Sequence, residues 1–174
     1  MNKTKIELDD NQAISIFKST DDSGLKQMLK ANFPKLFRKN ILEWDDITFN
    51  DICIMNGTTE KEFNAMWYDV RSMLKEKYNF DLSISAIAYE KLQMITKTLN
   101  TDEDGNVWIP DADSTTEKRH YPYFYFSPFR FFVTNFFYVD TFAFCGVRLC
   151  VKSESVAKFF GTHFVNEWNE FLKK

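Results

Sequence analysis

Residues 120–144 read HYPYFYFSPFRFFVTNFFYVDTFAF, and the expected fold depends on this stretch. It contains 13 aromatic residues, in a chain that has 19 Phe, 7 Tyr and 4 Trp. Aromatic and β-branched residues favour strands, and Ser127-Pro128 interrupts the run. The pattern predicts strands over residues 121–126, 129–133 and 136–151. We therefore expect a small aromatic-rich antiparallel sheet here.

Helical patterns precede and follow the aromatic stretch. Thr59 and Glu62 form a capping box for a long helix, and Ser83 begins another that ends near Leu99. Ser153 begins a final helix that extends to about Leu172, in which Gly161 is either an interior residue or a break. Other helix starts are expected at Asp9 or Asp10, Asp22 and Thr48. The apolar residues of the long helix recur every three or four positions: Phe63, Met66, Trp67, Val70, Met73 and Leu74.

These elements together predict an α+β fold: an N-terminal helical part followed by a small aromatic-rich antiparallel sheet packed by a C-terminal helix. The helical part covers 1–99, an acidic loop covers 100–119, and the sheet with its helix covers 120–174. A length of 174 residues suits one compact domain that contains all three parts.

Composition and charge exclude several classes of protein. With 44% apolar and 27% charged residues, the chain is typical of a globular protein. A net charge of −3 argues against a generally basic nucleic-acid coat. Residues 1–117 have 14 bases and 21 acids, whereas residues 118–174 have 8 bases and 4 acids. This contrast indicates either two solvated faces of opposite sign or a weakly basic aromatic surface that meets an acidic partner.

The chain carries no sign of secretion or membrane insertion. No apolar segment follows the lysines near the N-terminus, so no signal peptide is expected. The apolar run from Phe131 to Val147 is short for a membrane span and contains Asp140. Three cysteines do not suit a small secreted disulfide scaffold. We expect a reducing cytoplasm and no membrane partner.

One acidic segment resembles a calcium-binding loop in spacing. Its oxygen ligands would be Asn100, Asp102, Asp104 and Asp111, with Gly105 at the turn. An Asp in the last position is shorter than the usual bidentate Glu, and Pro110 stands where the exit helix should begin. The segment therefore predicts a solvated loop with no metal.

Other catalytic or metal-binding chemistry has little support in the sequence. Cys145, Cys150 and His163 do not have the spacing of a zinc site, and buried free thiols explain the cysteines. His120 and His163 have no identifiable nucleophile beside them, and no phosphate-binding or nucleophile motif occurs. We expect no cofactor and no enzyme activity, and an enzyme of unknown class remains the third alternative.

The aromatic segment 120–144 has three interpretations. Core packing explains most of its Phe residues. A platform for single-stranded nucleic acid needs several interleaved bases, and only Arg130 lies inside the segment, so a nucleic-acid partner is not expected. A protein-binding face would use polar-tipped and cationic side chains. Its candidate residues are Tyr123, Tyr125, Arg130 and Tyr138.

The C-terminal part carries a family resemblance. The run Gly146-Val147-Arg148-Leu149-Cys150-Val151-Lys152-Ser153-Glu154, with Ala157, Phe160-Gly161, Phe164 and Phe171-Leu172 after it, contains a G-x-R-L-C-x-K-S-E signature. It resembles a family of uncharacterised small proteins from Bacteroidetes and their phages, including crAss-like phages. Further similarity lies at Trp108-x-Pro110-Asp111, at Tyr121–Phe124 and at Trp44–Cys53. The sequence departs from the family at Val147, where Ser is usual, and at Thr162-His163, where Lys-Gln is usual.

This resemblance implies a setting without implying an activity. We expect a non-catalytic phage protein, either a virion component or an accessory binding protein, located in the bacterial host cytoplasm or in the virion, with a protein partner. The alternative is a module that binds a ligand or host factor through residues 120–144, in counter-defence or in C-type-lectin-like recognition. Neither the partner nor the oligomeric state follows from the sequence.

Overall fold

The computed structural model of the chain describes residues 7–111, 113, 114, 116–127, 130–138 and 147–172. At residues 123, 125–127, 130–138 and 147 it describes the backbone alone. The α-helices in this part of the chain are α1 (Asp10–Ser19), α2 (Ser23–Asn32), α3 (Pro34–Lys39), α4 (Phe49–Met55), α5 (Glu60–Tyr78), α6 (Ile84–Asn100), α7 (Glu154–His163) and α8 (Val165–Leu172). Strands β1 (His120–Ser127) and β2 (Arg130–Tyr138) lie between α6 and α7, and 3-10 turns occur at Ile41–Glu43 and Val147–Leu149.

Local capping residues determine where most helices begin. Thr59 Oγ1 accepts a hydrogen bond from the Glu62 N–H at 3.2 Å, and Glu62 Oε2 accepts one from the Thr59 N–H at 2.8 Å. This reciprocal pair satisfies two backbone donors that the first turn of α5 leaves without helical partners. The predicted caps at Asp9, Asp22, Thr48, Thr59, Ser83 and Ser153 are confirmed.

The predicted α+β class is wrong, because the described part of the chain is mostly helical. Strand structure in the described residues is limited to one hairpin, in which β1 and β2 pair antiparallel with an irregularity between Tyr123 and Phe124. The expected strand around residues 147–151 is instead a 3-10 turn followed by a single bridge from Val151 to His120. Leu149, Cys150 and Val151 are all buried, and the periodicity of so short an apolar run does not separate a strand from a buried turn.

The C-terminal helical segment is two helices, and the break that the sequence allowed at Gly161 lies instead at Phe164. Gly161 lies inside α7, and Phe164 separates α7 from α8. Both short helices face the core, since Phe160, Phe164 and Trp168 are all at most 2% exposed.

A single cluster of apolar side chains joins the front helices to the C-terminal helices. It extends from Phe17 in α1 through Ile52 in α4 and Leu92 in α6 to Trp168 in α8. The Trp168 ring lies 4.9 Å from that of Phe160. Trp168 is 2% exposed and therefore belongs to this core. None of the described helices combines the length and apolar character that crossing a bilayer requires.

Candidate binding groove

Helix α5 is attached to the core mainly by its first turn. Phe63 is its one buried residue, and its ring meets that of Phe49 in α4 edge-on at 5.1 Å. Met66 and Met73 are 51% and 49% exposed, although both belong to the apolar stripe that the sequence predicts. The stripe is therefore only partly covered by the rest of the described chain.

A groove runs beside this stripe. It lies between α5, the C-terminal half of α6 and residues 107–110, and its volume is about 680 Å³. Ile109 at its rim is 77% exposed. Its apolar lining includes Phe63, Met66, Trp67, Met94, Trp108 and Ile109, and its polar lining includes Asn56, Gln93, Lys97 and Arg148.

A tight turn after α6 positions the 107–110 wall of the groove. Asp102 Oδ1 accepts hydrogen bonds from the N–H groups of Asp104 at 3.0 Å and Asn106 at 2.8 Å. These hydrogen bonds lower the pKa of Asp102, and the one from the Asn106 N–H has the largest effect. Gly105 adopts a φ of 92°, which favours glycine. The chain then returns along α6, where the Trp108 N–H donates to the Asn100 carbonyl at 2.9 Å.

One buried amide, that of Asn100, and one half-buried amide, that of Asn56, hold the floor of the groove. Asn100 Nδ2 donates to the Cys150 carbonyl at 2.8 Å, and Asn100 Oδ1 accepts from the Lys152 N–H at 3.2 Å. Asn56 Nδ2 donates to Thr98 Oγ1 at 2.7 Å, which connects α4 to α6. These hydrogen bonds join three separate segments, α4, α6 and residues 150–152, and so fix the floor of the groove.

The residues of the calcium-loop candidate serve the turn and the floor. The Asn100 side chain bonds to two backbone groups, Asp102 caps its own turn, and Asp111 Oδ1 accepts from the Asp113 N–H at 3.0 Å. Asp104 is exposed beside them. No three His, Cys, Asp or Glu side chains in the described part of the chain are grouped as metal ligands.

The described thiols and imidazoles are packed rather than poised for chemistry. Burial raises the pKa of Cys53 to about 11 and also raises the pKa of Cys150. The His163 ring stacks on Phe159 at 4.0 Å. Burial lowers the pKa of His120, which lies at the start of β1. Cys145, the third member of the zinc candidate, lies outside the described residues.

The aromatic binding candidates lie on the hairpin backbone. Tyr123 pairs with Asn135, Tyr125 with Phe132, Arg130 with Ser127 and Tyr138 with His120. The side chains of Tyr123, Tyr125, Arg130 and Tyr138 lie outside the described part of the structure. A binding patch formed by these four side chains stays a prediction.

The sequence analysis did not single out the exposed methionines of α5. It interpreted their spacing as one core-facing stripe, because periodicity identifies a helix face without showing what covers it. A signal was present nonetheless: Met66 and Met73 each have an acidic residue three positions after them and another four positions before them. Residues that face a core rarely have such acidic neighbours on their own side of the helix.

Comparison with protein-family models, with curated proteins and with solved structures gives no match. The candidate site is therefore defined by the geometry and chemistry of this chain.

Proposed function

We propose that this protein is a non-catalytic binding protein that holds a protein partner in the groove beside α5. The observation that carries the proposal is the half-exposed apolar stripe of α5, which is continuous with the groove wall at Met66 and Trp67. Exposed apolar surface that adjoins a groove is typical of an interaction site.

The composition of the groove suits a peptide-like occupant. Met66 and Met94 have flexible, polarisable side chains that adapt to differently shaped partners. Trp67 and Trp108 offer broad apolar faces, and tryptophan is enriched among the residues that dominate binding energy. The polar residues at the margin, such as Gln93 and Lys97, suit a rim that stays wet around a dry centre.

The chemistry of the described nucleophile candidates supports a binding role. A cysteine acts as a nucleophile when it is a thiolate, and a pKa of about 11 keeps Cys53 protonated at neutral pH. The His163 ring is used in packing against Phe159. Cys53 and His163 therefore contribute to packing rather than to covalent chemistry.

The biological setting we propose is that of a phage protein, either a virion component or an accessory binding protein in the host cytoplasm. It rests on the resemblance of residues 146–154 to small proteins of Bacteroidetes and their phages. Mass spectrometry of purified particles separates the two roles. A virion component is present at a fixed copy number, whereas an accessory protein is absent from particles.

Site-specific photo-cross-linking tests the exposed stripe of α5 that continues from the groove. A photoreactive residue is placed at Met73 on the exposed stripe and, as a matched control, at Tyr68, which is 71% exposed on another side of α5. In cells that naturally express the gene, we expect a discrete protein adduct from position 73 and none from position 68. Equal labelling at both positions, or none at position 73, would contradict the proposal.

A further inference from the structure

The exposed side of α5 carries acidic and methionine residues in strict alternation. Glu62, Met66, Asp69, Met73 and Glu76 follow one another at spacings of four and three residues. Residues at these spacings are neighbours on a helix surface. All five are exposed, so they form one continuous edge beside the groove, which we name the α5 edge.

The acidic groups of the α5 edge are not neutralised by the described residues around them. Asp69 and Glu76 have no ion pair within the described part of the chain. Glu62 is held by Thr59, whose hydroxyl is the first cause of a lowered pKa, so it stays charged. The adjacent Arg71 donates instead to Asp81 at 3.0 Å.

We infer that the α5 edge binds a basic amphipathic helix of a protein partner. The inference rests on the proposed function, because Met66 both lines the groove and belongs to the α5 edge, so that a partner held in the groove extends over this edge. Lys or Arg side chains of the partner lie against Asp69 and Glu76, and its apolar side chains lie against Met66 and Met73. An amphipathic helix presents apolar anchors on one side at spacings that include seven residues, and Met66 and Met73 are seven residues apart.

The charge of the α5 edge disfavours the other occupants. Glu62, Asp69 and Glu76 disfavour a polyanion directly on the edge, although α5 as a whole carries equal numbers of acidic and basic residues. A second copy that pairs its own edge antiparallel with this one would bring Asp69 close to Asp69 and Glu62 close to Glu76. Like charges placed in this way oppose association.

Two synthetic peptides of about 20 residues test the inference, since that length covers the span of α5. One places Lys beside Leu at helical spacing, and the other is identical except that every Lys is Glu. We expect the basic peptide to bind the full-length protein at least about tenfold more tightly than the acidic one, and to weaken in about 0.5 M salt.

Charge reversal on the protein localises the binding. The double variant Asp69→Lys with Glu76→Lys should bind the basic peptide at least about tenfold more weakly. Glu43→Lys with Asp45→Lys makes the same change in net charge at exposed positions away from α5 and should leave the affinity unchanged. Equal effects of the two pairs, or equal affinity for the two peptides, would overturn the inference.

The cross-linking experiment separates this inference from the proposed function. An adduct at position 73 whose contacting segment is acidic or uncharged would overturn the inference and leave the groove as the binding site. A dimer in solution that dissociates on Met73→Glu would likewise overturn it in favour of a second copy. A basic helix found in the adduct supports both proposals.

Discussion

Lys30 Nζ lies 2.7 Å from Asp51 Oδ1, and both side chains are almost completely removed from solvent. Lys30 belongs to α2 and Asp51 to α4, so this ion pair joins two helices inside the core. Asp51 Oδ2 also accepts hydrogen bonds from the Thr48 N–H at 2.9 Å and from Thr48 Oγ1 at 2.8 Å. The carboxylate thus begins α4 and fixes α4 against α2.

Asp51→Ala should lower the free energy of unfolding by about 3–5 kcal/mol, because it leaves the Lys30 ammonium buried and uncompensated. Urea denaturation measures this change. The control is Glu103→Ala, which removes the partner of Lys39 in an exposed pair and should leave the midpoint almost unchanged. Similar losses for both variants would show that the Lys30–Asp51 pair is not buried as described.

Trp168→Ala should lower the free energy of unfolding by about 3–5 kcal/mol, since it removes a large buried ring. Trp168 is 2% exposed, and its ring lies 5.2 Å from that of Phe124 in the hairpin. Tyr68→Ala is the control, because Tyr68 is 71% exposed. A loss of well under 1 kcal/mol for Trp168→Ala would contradict the core described here.

Helix starts followed from the sequence because they depend on three or four adjacent residues. Thr48 with Asp51 and Thr59 with Glu62 carry their capping chemistry within one turn, so no tertiary information is needed. The fold class did not follow, because residues 147–151 have an apolar pattern that fits either a strand or a buried turn. Which of the two structures forms depends on long-range contacts, among them the hydrogen bond from Asn100 Nδ2 to the Cys150 carbonyl.

The candidate site could not be predicted from hydrophobic periodicity either. The stripe on α5 was visible in the sequence, but its exposure depends on how far α6 and residues 107–110 lie from it. The Asp102 turn positions residues 107–110, and the N-terminal half of α5 packs against the core through Phe63 and Trp67. The tight acidic turn has the residue types of a calcium-binding loop. Asp and Gly also favour turns that bind no ion, so these residue types alone do not identify a metal site.

Calcium at millimolar concentration should leave the melting temperature unchanged. A ligand that binds only the native state raises that temperature by mass action, and the Asn100 side chain is already used by two backbone groups. Differential scanning fluorimetry with calcium and with a chelator measures the shift. A clear rise with calcium that Asp104→Ala abolishes would instead restore the calcium loop.

Glu167→Gln should stabilise the protein at neutral pH. Burial raises the pKa of Glu167 in the folded state, so the folded protein holds this proton more tightly than the unfolded chain does. Ionisation therefore destabilises the fold as the pH rises from the unfolded pKa, about 4.3, through the folded pKa, and the cost is complete above it. The gain from Gln should disappear below about pH 4.

Urea denaturation of Glu167→Gln at neutral and acidic pH measures this difference. Glu170→Gln is an informative comparison, because Glu170 lies on the same helix and accepts a hydrogen bond from Lys91 Nζ at 3.2 Å. A stabilisation by Glu167→Gln that is the same at both pH values would contradict the assigned cause.

Hydrogen exchange should divide α5 into two parts. The amides near Phe63 should exchange slowly, because this turn is packed against Phe49, whereas the amides of residues 73–78 should be at least about tenfold less protected than those near Leu92 in α6. A helix with little tertiary contact depends on its own marginal stability, and buried apolar contacts are what raise the cost of local opening. Mass spectrometry of peptic fragments measures this profile.

Binding of the basic peptide should then slow exchange in residues 73–78 while leaving residues near Leu92 unchanged. Uniform protection along α5 in the free protein would mean that its exposed stripe is stabilised without a partner. That result would argue against α5 as a partner-binding surface.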